Sequence, residues 1–141
     1  MNLTLGVMLD DGAYMPERAH DTDAGFDLRT PKRVVIHRGS SACIDTGVHI
    51  EIPKGMFGKL ESKSGLNVKY GVVSHGGVID SGYTGSIVVK LYNHGEQDYF
   101  MEAGDKAVQI IFHRHESPDF AVVDSFEETD RGENGFGSTG R

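Results

Sequence analysis

Apolar and polar positions alternate along much of this chain. In "CIDTGVHIEI", Ile44, Thr46, Val48, Ile50 and Ile52 fall on one side and Asp45, His49 and Glu51 on the other, the period of two expected of a half-buried strand. "GSIVVKLYNHG" puts Ile87, Val89 and Leu91 on one face, and "KAVQIIFHRH" does the same with Val108, Ile110 and Phe112. Shorter segments of this kind are "NLTLGVML", "RVVIHR", "GMFGKLE", "DYFME" and "FAVVDSF". Turn-forming clusters such as "DDGA", "HRGSS", "IPKG", "DSGYTG" and "EAGDK" separate them. No window of about a dozen residues carries an apolar stripe at the helical period. Many short strands at roughly 8–12-residue spacing predict an all-β domain, a sandwich, barrel or jelly roll. The alternation stops after Phe126, which predicts a β-rich core over residues 1–126 and a flexible, glycine-rich C-terminal arm over 127–141.

The totals narrow the function classes. A length of 141 residues suits one domain. The 19 glycines run well above the usual ~7% and favour a turn-rich β architecture. A net charge of −7 without a visible basic stripe argues against a nucleic-acid partner. Cys43 is the single cysteine, so no internal disulfide forms, which fits a reducing compartment. With no run approaching ~18 apolar residues and no apolar leader, the sequence reads as soluble and cytoplasmic, with no membrane partner.

Five segments concentrate groups suited to chemistry. In "DTDAGFDL", Asp27 would point away from Phe26 and Leu28, and an exposed strand-edge aspartate explains it equally well. "ESKSGLNVKYG" brings Lys63, Ser64 and Gly65 together; the three can form an anion-binding nest or a plain solvated turn. "GGVIDSGYTG" feeds Val78 and Ile79 into Asp80 and a hairpin turn carrying Tyr83, which can offer backbone groups to a flat polar ligand or be only a tight hairpin. Asp80 there could orient or deprotonate a water. In "AGDKAVQI", Gln109 shares a face with Ala107 and Ile111, and a phosphate oxygen or solvent would serve its amide. The tail "RGENGFGSTGR" surrounds Phe136 with arginines and hydroxyls, as a phosphate clamp or a disordered end would. His113 and His115 share a strand face without a third ligand and read as surface residues. Walker, GxSxG and HExxH signatures are absent.

Taken in order, "AGFDL", "KSGL", "GVIDSGYTG", "GDKAVQI" and "RGENGFGSTG" resemble the five motifs of the homotrimeric dUTPases, over about residues 16 to 140. The resemblance implies a jelly-roll-like (β-clip) subunit, assembled as a homotrimer with shared active sites, that hydrolyses dUTP to dUMP and pyrophosphate with Mg²⁺. It implies that Gly77, Val78 and Ile79 hold uracil through backbone groups, that Asp80 positions the attacking water, and that Tyr83 packs under the deoxyribose. Lys63, Ser64, Gly65 and Gln109 would hold phosphate oxygens. From the arm, Phe136 would stack on uracil while Arg131, Gly137, Ser138 and Thr139 engage the terminal phosphates. Asp27 would serve the metal end indirectly, through water.

The chain departs from the family pattern in three places. Lys63 stands where the second motif commonly has arginine, keeping the charge without the planar fork. "VVSHGG" lacks an asparagine that some members carry, so Ser74 and His75 receive no uracil contact. "GDKAVQI" exchanges small apolar side chains. Two other readings remain open: a dCTP deaminase on the same fold, which would need a general acid–base group near C4 of the base, typically a glutamate, where "GVIDSGYTG" has none, and a nucleotide-sensing module that binds dUTP without turnover.

Overall fold

The computed structural model describes residues 3–137 and 140. Eleven strands and one helix follow one another: β1 (Gly6–Leu9), β2 (Phe26–Arg29), β3 (Val34–Ile36), β4 (Ser41–Asp45), β5 (Val48–Glu51), β6 (Met56–Glu61), α1 (Ser64–Tyr70), β7 (Val72–Ser74), β8 (Val78–Asp80), β9 (Val88–Asn93), β10 (Tyr99–Met101) and β11 (Lys106–Arg114). They form four antiparallel sheets among the described residues, ordered β1-β5, β10-β3, β2-β11-β6-β8 and β4-β9-β7. The inner faces meet in one core that includes Leu28, Ile36, Ile44, Val48, Ile52, Val89, Leu91, Val108 and Ile110.

The alternation in residues 43–52 holds as a burial pattern but not as one strand. Ile44, Thr46, Val48, Ile50 and Ile52 are all buried. The chain breaks at Thr46–Gly47, because Gly47 takes the left-handed conformation at φ 66°. The Thr46 hydroxyl donates to the Ile87 carbonyl at 2.7 Å and accepts the Val48 N–H at 3.2 Å, so the buried break leaves its hydroxyl satisfied. β4 then pairs with β9, while β5 pairs with β1.

Three further expectations are corrected. Residues 64–70, read as a turn, are a short helix that Gly71 closes in the left-handed conformation at φ 68°, with its N–H bonded to the Asn67 carbonyl. The segment carrying Tyr83 is not a hairpin. β8 pairs with β6 and β9 with β4 and β7, so the chain crosses between sheets there. "FAVVDSF" forms no strand: it has no partner among the described residues, and Phe120, Val122 and Phe126 are exposed.

Candidate active site

Asp27 lies on β2 at the centre of a cationic cluster. It is only 3% exposed, so although β2 is an edge strand the exposed-aspartate alternative is excluded. Lys63 binds its Oδ1, and Lys106 approaches its Oδ2 at 2.7 Å. Burial by itself pushes the carboxyl up, but the hydrogen bonds from Lys106 and Lys63 more than reverse this, and it lies below its usual value of 3.8. The antiparallel register sets Gln109 opposite Asp27 on one side and Glu61 on the other. Its Nε2 donates to the Ser62 carbonyl at 3.1 Å, so the half-buried amide has a partner within the fold. Ser62 in turn is fixed to β7, its hydroxyl donating to the Ser74 carbonyl and accepting the Ser74 N–H, both at 2.9 Å. Ser64 and Gly65 open α1 directly beyond this anchor.

Lys63, Gly65 and Lys106 line a cavity of about 500 Å³ whose wall is completed by Arg29, Lys69 and Tyr70, among others. In a chain of net charge −7, this is a local concentration of positive charge suited to a polyanion. Arg29 and Lys69 were not singled out from the sequence. Arg29 could have been, since it stands two residues beyond Asp27 on the same strand and so on the same face.

A second, smaller pocket of about 190 Å³ is lined by Val78, Ile79, Asp80, Tyr83 and Val88. The Tyr83 N–H donates to the Asp80 carbonyl at 3.0 Å and its hydroxyl donates to the Ser86 carbonyl at 2.8 Å, which fixes the ring across the turn. Gly77 precedes β8, and its carbonyl accepts the Leu60 N–H at 2.9 Å.

One chain keeps the two pockets apart. Asp80 lies opposite Phe57 and Gln109 opposite Glu61, on opposite edges of β6 and four positions apart along it. At ~3.4 Å per residue and ~4.8 Å between strands, that separation is roughly 17 Å. Of the arm, residues 127–137 are all exposed, including Phe136, and none of them lines either pocket. Arg131 is held locally, its Nε donating to the Asn134 carbonyl at 3.0 Å. Ser138 and Thr139 lie outside the described residues. His113 and His115 are exposed and pack about the Phe57 ring.

The residues fit Mg²⁺ only indirectly. Both Asp27 oxygens are engaged by ammonium groups, and among the described residues no three His, Cys, Asp or Glu side chains gather as a metal cage. That donor set suits an ion held mainly by water and substrate phosphates.

Comparison with known proteins identifies the family. The family model described as dUTPase matches residues 11–140. A deoxyuridine 5'-triphosphate nucleotidohydrolase of Paramecium bursaria Chlorella virus 1 is 39% identical over 140 residues, 99% of each chain. A point mutant of the Staphylococcus bacteriophage 80alpha dUTPase, solved with dUpNHpp, superposes with a TM-score of 0.93 at 31% identity, covering 99% of this chain and 100% of the other. A mutant dUTPase from phage phi11 of S. aureus, solved to show coordination of a structural Mg(II) ion, gives a TM-score of 0.83 at 31% identity over 89% of this chain and 100% of its own. With the profile spanning nearly its whole length and relatives aligned end to end, the chain belongs to the dUTPase family.

Proposed function

We propose that the chain hydrolyses dUTP to dUMP and pyrophosphate at a site assembled from segments that a single chain holds apart. The observation that carries this reading is the pairing of two pockets of matching chemistry: a cationic cavity lined by Arg29, Lys63, Gly65 and Lys106, among others, and a small pocket lined by Asp80 and Tyr83, among others. The roughly 17 Å between the strand positions of Asp80 and Gln109 is too far for both to act on one α-phosphorus within a single chain. Association of three chains, each lending its Asp80–Tyr83 pocket to a neighbour's phosphate cavity and its arm to a site, removes the difficulty. The exposed apolar residues of the segment from Phe120 to Phe126 support association as well, since an unpartnered strand-like stretch of this kind is suited to packing on a second chain.

In that assembly the backbone of Gly77, Val78 and Ile79 reads the uracil edge, and the Tyr83 ring lies against the deoxyribose and leaves no room for a 2′-hydroxyl. Asp80 orients a water with its oxygen aimed at the α-phosphorus and takes up the proton that this water loses as it attacks. The new P–O bond forms there as the bond to the bridging oxygen of the pyrophosphate breaks. Lys63, Ser64, Gly65 and Gln109 hold phosphate oxygens, and the charge that builds on the leaving pyrophosphate is met by the cationic wall. Phe136 covers the base, and Arg131, Gly137, Ser138 and Thr139 close over the terminal phosphates. Mg²⁺, which Asp27 would hold only indirectly through water, would supply charge neutralisation to the triphosphate. A cytoplasmic location suits the single, unpaired Cys43.

Pyrophosphate release from dUTP with Mg²⁺, run beside UTP and dCTP, tests the reading. Release from dUTP alone supports substrate, reaction and sugar discrimination together. Ammonia release from dCTP, or tight dUTP binding without pyrophosphate, would replace it with the deaminase or the sensing module.

A further inference from the structure

The turn that carries Tyr83 is tied to the body of the fold by side chains from two neighbouring strands. Ser86 donates its hydroxyl to Asp45 at the end of β4. From β5, the half-buried His49 reaches the residue next to Tyr83: its Nδ1 lies 2.8 Å from the Thr84 carbonyl oxygen, and its Nε2 lies 3.2 Å from Oδ1 of Asp10. Both partner atoms are acceptors only, because a carbonyl carries no proton and a carboxylate at neutral pH carries none. A neutral imidazole has one N–H and one lone pair, so it satisfies one partner and turns a lone pair on the other. Only the imidazolium donates to both.

The geometry points to His49 as a positioning residue for dUTP binding, a cationic strut between Asp10 and the Thr84 carbonyl that holds the Tyr83 turn closed under the sugar. This rests on the assignment of Tyr83 to the deoxyribose pocket. The charged groups around the ring are carboxylates: Asp10 from the segment after β1, Asp45 from β4, and Glu51 from β5 itself. β1, which pairs with β5, contributes no titratable side chain, and the Tyr83 turn presents the uncharged Thr84 carbonyl. In keeping with this, the hydrogen bond to Thr84 and then that to Asp10 raise the imidazole above its usual value of 6.5. The sign follows: both bonds are complete below the usual value, and one is lost as pH rises through the raised one. The charge-assisted bond to Thr84 weakens with it.

The test compares wild type with Asp10→Asn and His49→Phe. An asparagine at position 10 can donate to the Nε2 lone pair, so a neutral His49 then satisfies both partners and the charge becomes unnecessary. In wild type, KM for dUTP should rise about three- to fivefold as pH is raised through the His49 titration, the effect of weakening one charge-assisted bond. Asp10→Asn should lose that limb and keep a low KM, while His49→Phe should raise KM at every pH with a smaller change in kcat. Ring ¹⁵N NMR of the free enzyme should place the His49 midpoint above 6.5, with both nitrogens protonated below it. A midpoint at or below the usual value, or a KM limb that survives in Asp10→Asn, overturns the strut. Tyr83→Ala separates the two assignments: an unmoved KM for dUTP there removes the pocket assignment, and the ring spectrum still decides whether His49 is the cation between Asp10 and Thr84.

Discussion

Replacing Asp27 with asparagine tests the cationic cluster directly. The carboxylate is buried, and each oxygen meets an ammonium, from Lys63 and from Lys106 at 2.7 Å. Hydrogen bonds to charged groups contribute about 1.5–3 kcal/mol each, so two give a gross loss of ~3–6 kcal/mol. The lysine side chains are 28% and 38% exposed, so both can swing into water once the carboxylate is gone, and asparagine still accepts from one of them. A net destabilisation of ~2–3 kcal/mol is expected, below the usual cost of orphaning a fully buried charge. Urea titration at fixed protein concentration reads it as a fall in midpoint of roughly 0.7–3 M at an m-value of ~1–3 kcal/mol/M. The pH dependence has a definite sign. Because the folded carboxyl lies below its usual 3.8, the wild-type advantage is complete above that value and shrinks as pH falls through the depressed one. A change below ~0.5 kcal/mol, the size of an ordinary surface substitution, would refute the cluster's structural role.

Three other perturbations address the rest of the site. In Gly25→Ala the new Cβ would lie 2.3 Å from Gln109 Oε1 and 3.0 Å from its Cδ; the flexible amide should be displaced at a stability cost of ~1 kcal/mol, with a raised KM for dUTP in steady-state kinetics. Asp80→Asn should retain dUTP binding by calorimetry and lose on the order of 10²–10⁴ in kcat, the usual worth of a positioned acid–base group. Deletion of residues 131–141 should leave the circular dichroism spectrum intact and cut turnover, and an unchanged rate would reduce the arm to a tail.

The strands were legible wherever one face is buried and the other is wet. Ile87, Val89 and Leu91 alternate in sequence and are buried in the structure. What alternation does not encode is partner choice. The period of two runs unbroken through Gly47, yet the chain changes sheets there. It also runs through "FAVVDSF", where no partner strand exists among the described residues and the pattern alone cannot make a sheet. The helix escaped notice because its seven residues bury none of their side chains fully, so no apolar stripe marks it. In the site, Asp27 and Gln109 were visible as single residues, but the contact of Asp27 with Lys63 and Lys106 joins three segments far apart in sequence. No local spacing announces such a cluster.

The lysine at position 63 shows how the fold changes the meaning of a sequence departure. Read alone, it keeps a charge and forfeits the bidentate fork of arginine, which leaves its grip on phosphate in doubt. The structure assigns its ammonium to Asp27, which at first deepens that doubt. An ammonium, however, carries three donors, and one carboxylate oxygen uses one of them. Lys63 also lines the cationic cavity, so the remaining two donors are available to a phosphate there. The same carboxylate holds Lys106, and Asp27 therefore sets the position of two cations at once. A single ammonium with a short reach needs such an anchor more than a planar guanidinium does. Holding the point charge in place would offset the loss of the fork, and the phosphate contact expected of Lys63 is compatible with its bond to Asp27.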